Sequence, residues 1–483
     1  MMSACFFQNK RIGSVSRRSL ALFFVASIAL WALISIGFTG ISHGKPASQG
    51  AALWPHETSD LKPSPNLLRG RLKNGFRYVL MKNGEPKKRV SLHLDVQAGS
   101  LNEIDGEEGL AHFLEHMLFR GSEYFEPGEL VKYFQSLGMQ FGPDVNAHTN
   151  FTETVYDIFL PDGSRNNIGK AIIAAKDFAR GALLLDAEID KERNVVLSEK
   201  QTRDSVEYRT LMATLGFEFP DTLIVNRLPI GKSHVIRTAR RGALKKFYDT
   251  WYRPDNMILV MVGDFDIALA ETLIKNEFSG LPSGLGPLFS PDFGPINHKG
   301  VKTFYHREKE AGATTVSIET VEKIQAAADS ISMRKTLFIK DVADAMVRNR
   351  LDALTGEPET PFTSAFINSG IYLDTVKYSE IYAECDPEDW APSLALIEKT
   401  LRSALTYGFS EYELDRAKKI FLNMLETAEK KVSTRDSSGL SRQIIFALNN
   451  NKVFLSPTQK KELFIPILDQ LTLNDAHEAL TDT

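Results

Sequence analysis

The sequence predicts an α+β protein of two homologous units, each an antiparallel-rich sheet with helices mostly on one face. Residues 89–96 alternate polar and apolar side chains, which indicates a half-buried strand, and residues 314–320 alternate in the same way. A helical stretch at residues 185–199 has a similar counterpart at residues 409–423. These two repeated segments occur in the same order in both halves, so we expect the second half to duplicate the first.

Composition limits the classes of protein to consider. The chain has 483 residues, enough for two to four domains, and its 43% hydrophobic and 24% charged residues are ordinary for a globular protein. A net charge of -4 argues against nucleic acid as a partner. The two cysteines are Cys5 and Cys385, so a four-cysteine zinc site is excluded and a metal would need histidine and carboxylate ligands.

The N-terminus has the pattern of a targeting segment. Basic residues within residues 1–18 precede a run without charge from Ser19 to Ser42. We predict that residues 1–44 are a signal peptide or a signal anchor, because the uncharged run is long enough to span a bilayer. The rest of the chain is then expected outside the cytoplasm, either periplasmic, secreted or held at the inner membrane by residues 19–42.

Changes in composition predict the domain boundaries. Residues 45–66 are rich in proline, serine and alanine and are expected to form a linker. Residues 67–282 form the first domain, and proline and glycine recur in a second linker at residues 283–299. The second domain covers residues 300–483.

Within the first domain the elements can be placed in order. An Asn-Gly pair within residues 72–80 predicts a hairpin turn. Helices are expected at residues 127–137, 165–183 and 186–205, and residues 151–160 are strand-like. An acidic loop from Gly99 to Gly109 leads into the segment that carries the chemistry.

That segment contains His112, Glu115 and His116. Side chains four apart on a helix lie one above the other, so the two imidazoles face the same point, with Glu115 on the same side. Two neutral imidazoles suit a catalytic zinc, and the carboxylate suits the acid that takes a proton from water. The order of these residues is the inverted form of the common zinc-protease motif. A core helix that carries these residues by chance is the alternative reading.

A third ligand is expected on the helix predicted at residues 186–205. Glu192 and Glu199 are close to two full turns apart and share a face. A carboxylate among apolar neighbours is costly unless it is paired or bound to a metal. We expect Glu199 to be a ligand and Glu192 to be an auxiliary catalytic acid or a support for a ligand. Glu188 and Lys191 are expected in solvent.

The chain at this point resembles the M16 metallopeptidases, the family of pitrilysin, insulin-degrading enzyme and the mitochondrial processing peptidases. The matching segments are residues 112–116 and 192–199, together with residues 106–110, 146–156 and 251–257. The resemblance implies a LuxS/MPP-like metallohydrolase fold, one Zn²⁺ per chain held by His112, His116 and Glu199, and water activation by Glu115. It also implies that Asn146 and Ala147 lie on an edge strand that pairs with an extended substrate. A plain turn is the alternative for Asn146.

The second unit carries no comparable site. Its counterpart of Glu199 is Asn423, and the early helix expected at residues 337–354 contains no histidine. The first unit has a helix followed by a closing strand at residues 257–262, whereas residues 473–483 match the helix alone. The second unit is therefore expected to be inactive and to lack its closing strand.

Two functions of different classes follow. The first is a zinc endopeptidase that hydrolyses extended, unfolded peptides or small proteins outside the cytoplasm. The second is a non-catalytic or half-enzyme subunit that binds peptides, or that needs a second M16 half or a homo-oligomer for activity. Serine and cysteine hydrolases are disfavoured because the chain has no Gly-x-Ser-x-Gly motif. Neither a dinucleotide fingerprint nor a Walker loop occurs, which disfavours a nucleotide cofactor.

Overall fold

The computed structural model describes residues 53–482, apart from residues 285, 287, 289 and 290. The predicted leader, residues 1–44, and its possible anchor at residues 19–42 lie outside the described residues. Among the helices of the described part, none has the length and apolar composition that crossing a membrane requires.

The described part of the first unit contains six strands and eight α-helices. The strands are β1 (Leu68–Arg71), β2 (Arg77–Lys82), β3 (Val90–Val96), β4 (Val145–Thr149), β5 (Thr154–Leu160) and β6 (Met257–Gly263). The helices are α1 (Leu110–Met117), α2 (Glu129–Ser136), α3 (Arg165–Arg180), α4 (Asp186–Thr202), α5 (Val206–Glu218), α6 (Ser233–Thr238), α7 (Arg241–Trp251) and α8 (Ile267–Phe278).

The six strands form one sheet in the order β1-β2-β6-β3-β5-β4. All neighbouring strands are antiparallel except β2 and β6, which are parallel. The last strand in sequence, β6, therefore lies in the middle of the sheet and the short strand β4 lies at its edge. This topology confirms the predicted antiparallel-rich sheet.

Helices of the first unit cover one face of this sheet. Leu92 and Leu94 of β3 join Phe113 of α1 and Phe178 of α3 in a single apolar cluster. Successive strand side chains point to opposite faces, so the odd-numbered residues of β3 face away from these helices. All seven residues of β3 are nevertheless buried. A second layer must cover the other face.

The second unit supplies that layer. It contains β7 (Thr314–Lys323), β8 (Phe362–Tyr372) and β9 (Val376–Cys385), with helices α9 (Ile331–Thr355), α10 (Trp390–Tyr407), α11 (Glu411–Lys430), α12 (Ser437–Asn449), α13 (Pro457–Gln470) and α14 (Leu473–Thr481). Leu440, Ile444 and Leu448 of α12 pack on Val260 and Val262 of β6 in the first unit. Neither this helix nor its packing on the first sheet was predicted from the sequence.

The second sheet repeats part of the first. Its order is β7-β9-β8, which matches β3-β5-β4 of the first sheet, and α11 follows it as α4 follows β5. This arrangement confirms the predicted duplication. Among the described residues the outer edge of β7 has no strand partner, whereas its counterpart β3 is paired with β6. The second sheet is therefore open at the position where the first sheet holds β6.

Candidate metal centre

Helix α1 positions His112, Glu115 and His116. Its N-terminus begins after Gly109, which has a φ of 102° and where a Cβ atom would approach Gly231 Cα to 2.9 Å. The buried carboxylate of Glu103 accepts hydrogen bonds from the amides of Gly109 at 3.0 Å and Ala111 at 2.9 Å. Amides at a helix N-terminus have no partner within the helix, so Glu103 fixes the start of α1 and with it the motif.

Helix α4 brings Glu199 to the two histidines. His112 Nε2 and His116 Nε2 lie 3.3 Å apart. Glu199 Oε2 lies 3.2 Å from His116 Nε2 and 3.7 Å from His112 Nε2. Across the described residues, these three side chains are the one group of His, Cys, Asp and Glu whose ligand atoms converge closely enough to hold a metal ion.

The three donor atoms fit zinc. Bonds of about 2.0–2.1 Å in a tetrahedral site separate neighbouring ligand atoms by roughly 3.4 Å, close to the spacings observed here. Two imidazoles with one carboxylate leave a fourth position open, as catalytic zinc sites do. Burial lowers the pKa of His112, which keeps its imidazole neutral. A neutral imidazole is the form that binds a metal.

Glu115 lies on the same helix but outside this group. Its side chain is buried, and burial raises its pKa to about 7. Thr149 of β4 donates a hydrogen bond to Glu115 Oε2 at 2.6 Å, which opposes that rise by stabilising the charged form. A carboxyl group that titrates near neutral pH beside a metal site is suited to accept and return a proton.

Glu192 supports His116 from behind. Its buried carboxylate oxygen Oε1 lies 2.9 Å from His116 Nδ1, on the side of the ring away from the other ligands. Arg120 also forms an ion pair with Glu192. Although burial alone would lower the pKa of His116, the carboxylates of Glu192 and Glu199 raise it. This carboxylate–histidine contact fixes the ring orientation and is common at zinc sites.

Glu199 is held from two sides. Its Oε2 faces the histidines, and its Oε1 forms an ion pair with Arg203 Nη2 at 2.5 Å. The hydrogen bond from His116 lowers the pKa of Glu199, and the nearby charge of Arg203 lowers it further. Glu199 is therefore charged at neutral pH, as a metal ligand must be.

The structure places the remaining predicted residues as follows. Asn146 and Ala147 lie on β4, the edge strand of the first sheet, and the Asn146 side chain is exposed. The expectation that Glu188 lies in solvent was wrong, since Glu188 is only 9% exposed. The ammonium of the exposed Lys191 lies 2.5 Å from the carboxylate of Glu188, one helical turn earlier, and the lysine shields this acid from solvent.

The chain matches two family models. Residues 78–215 match the model for insulinase, peptidase family M16, and residues 238–421 match the model for the peptidase M16 inactive domain. The first match lies within the first unit, and the second match runs from the end of the first unit into the second.

Individual relatives of the chain are named as zinc proteases. The chain is 29% identical over 432 residues to the probable zinc protease PqqL of Escherichia coli, covering 86% of this chain and 45% of that protein. It is 28% identical to the zinc protease PQQL-like of Arabidopsis thaliana, covering 84% of this chain and 40% of that protein. The chain thus spans less than half the length of these curated relatives.

Solved structures show the same fold. The crystal structure of the first half of the periplasmic protease PqqL from Escherichia coli matches with a TM-score of 0.79 and 28% identity, over 87% of this chain and 90% of that chain. Homologues named as zinc proteases imply that zinc is the metal of the family. The chain belongs to the M16 family of zinc metallopeptidases.

Proposed function

We propose that this chain is a zinc-dependent endopeptidase with its active centre at His112, Glu115, His116 and Glu199. The observation that carries the proposal is the placement of a buried acid, Glu115, on the same helix as two of three convergent metal-binding side chains. A protein that only scaffolds a partner has no need of such an acid.

The residues of the centre have separate roles in metal binding and in proton transfer. Zinc held by the three ligands would polarise a peptide carbonyl and acidify water. Glu115 accepts a proton from the attacking water and passes it to the leaving amine. Glu192 holds the His116 ring in place through Nδ1, so we assign it a positioning role.

The proposed substrate is an extended, unfolded peptide or small protein. The outer edge of β4 is not paired with another strand among the described residues. An extended peptide can pair with an edge strand through backbone hydrogen bonds. Such pairing depends on few of the peptide's side chains. The hydrogen bond from Thr149 to Glu115 ties this strand to the acid, so a peptide added along Asn146 and Ala147 would run toward the centre.

The proposed location is outside the cytoplasm, in the periplasm or at the inner membrane. The basic segment followed by an uncharged run at residues 19–42 supports it. The Escherichia coli relative is described as a periplasmic protease.

A second candidate is a half-enzyme that needs another M16 half, or a second copy of itself, for activity. The unpaired outer edge of β7 among the described residues supports it, since such an edge can accept a strand from another chain or another half.

Paired preparations of wild type and Glu115→Gln from residue 53 onward test the proposal. Bound zinc is measured by elemental analysis, and cleavage is measured on an unstructured peptide library. We expect one zinc in both and cleavage by the wild type alone. Zinc in both without cleavage would favour the half-enzyme, and a wild type without zinc would overturn the assignment of the site.

A further inference from the structure

The two oxygens of Glu199 have different partners. Oε2 faces His112 Nε2 and His116 Nε2, at 3.7 and 3.2 Å. Oε1 faces the guanidinium of Arg203, the residue that follows the last residue of α4, at 2.5 Å. The side chain of Arg203 is 54% exposed, whereas that of Glu199 is 27% exposed. The cation thus lies on the solvent side of the carboxylate, and the histidines lie on the inner side.

We propose that Arg203 is a positioning residue that makes Glu199 a one-oxygen ligand. By holding Oε1 toward solvent, the guanidinium presents Oε2 alone to the metal and leaves a position free for water and substrate. A carboxylate that bound through both oxygens would occupy that position. This inference rests on the proposed function, because it concerns the same metal centre.

The pattern of support around the centre agrees with this role. Of the three metal-facing side chains, His116 is held at its far nitrogen by Glu192, and Glu199 is held at its far oxygen by Arg203. The far nitrogen of His112 is buried and has no hydrogen-bond partner among the described residues, so that side of the ring is held by packing. Arg203 therefore completes the polar support of the two ligands that are more exposed.

A surface ion pair without a role at the metal is the competing explanation. Exposed ion pairs of residues four apart on a helix stabilise the helix only weakly. Lys245 and Asp249 of α7 form such a pair at 2.7 Å, and both are exposed. Lys245→Gln is thus a matched control, since it breaks an ion pair of the same spacing on a helix that carries no metal-facing side chain.

The experiment compares Arg203→Gln, Arg203→Lys and Lys245→Gln with the wild type. Zinc affinity is measured by competition with a chromophoric chelator, and the cobalt-substituted proteins are examined by visible absorption. We expect Arg203→Gln to weaken zinc binding about tenfold. We also expect its cobalt bands to lose intensity, because a two-oxygen Glu199 raises the coordination number. Arg203→Lys should restore part of both properties, and Lys245→Gln should match the wild type.

The outcomes separate this inference from the proposed function. Wild-type cobalt spectra and zinc affinity in both Arg203 variants would overturn the positioning role, whatever their activity. If the wild type binds metal and cleaves no peptide, the proposed function fails, while the spectra still decide the role of Arg203. A wild type that binds neither zinc nor cobalt would overturn both. Circular dichroism checks folding, and the lysine variant keeps the test valid if the glutamine variant unfolds.

Discussion

Thr149 Oγ1 donates a hydrogen bond to Glu115 Oε2 at 2.6 Å, and this contact joins the edge strand β4 to the acid on α1. Thr149 ends β4, where its register partner is Thr154 of β5. The hydroxyl of Thr154 in turn donates to the carbonyl of Ala98 at 2.9 Å. The strand proposed to bind substrate and the acid proposed to move protons are therefore held in one hydrogen-bonded array.

Replacement of Thr149 by valine should impair proton transfer without loss of the metal. The lost hydrogen bond stabilised the charged form of Glu115, so its pKa should rise further above about 7. A base must be deprotonated, hence activity is lost as pH falls through that pKa, and the acidic limb of kcat/KM should move to higher pH. We expect about a tenfold loss at pH 7. An unchanged acidic limb in Thr149→Val would contradict this, and Thr149→Ser should resemble the wild type.

Loss of Glu192 should weaken metal binding. Glu192→Ala removes the hydrogen-bond acceptor at His116 Nδ1, and we expect the zinc affinity to fall about 10–100-fold. Glu192→Gln should have an intermediate affinity, because its amide oxygen can still accept a hydrogen bond. Glu188→Gln is the matched control, since Glu188 is also a buried acid on α4 but pairs with Lys191. Chelator competition measures the affinities. Equal affinities for the Glu192 and Glu188 variants would show that the carboxylate behind His116 has no effect on the metal.

Asp95 should make stability decrease as pH rises. It lies on β3, fully buried, with Oδ1 accepting from Asn449 of α12 at 3.1 Å, and burial raises its pKa to about 8. The native state keeps the proton up to that pH, whereas the unfolded chain releases it near pH 4, so stability falls between these values.

Asp95→Asn removes this dependence. We expect it to raise the free energy of unfolding at pH 8 by on the order of 1–3 kcal/mol, with little change at pH 4. Denaturant titrations across this range measure the effect, with the exposed Asp469→Asn as control. A parallel pH dependence in wild type and Asp95→Asn would exclude Asp95 as its source.

Removal of the apolar contacts of α12 should destabilise the first unit. Ile444 is 1% exposed and packs on the face of the sheet opposite α1. Ile444→Ala should cost about 2–5 kcal/mol, because it leaves a cavity between helix and sheet. Ile420→Ala, at a position 38% exposed on α11, should cost much less. Urea unfolding compares the two variants, and similar costs would mean that α12 does not support the six-stranded sheet.

Periodicity and repetition made most of the fold predictable. The alternation at residues 89–96 predicted β3, and the similarity of residues 185–199 to residues 409–423 predicted the duplicated helices α4 and α11. The spacing of His112 and His116 required both rings to meet if that segment was helical. Helix α12 was not predicted, because the sheet face on which it packs belongs to β3 and β6, which lie far earlier in the chain.

Local spacing and internal repetition were enough to predict the fold class, the family and the residue types able to hold a metal. The hydrogen bond from Thr149 to Glu115, the contact of Arg203 with the outer oxygen of Glu199 and the burial of Glu188 became visible only in the folded chain. Hydrogen bonds and burial of this kind depend on where separate elements pack and how side chains turn. A pattern along one segment does not contain that information.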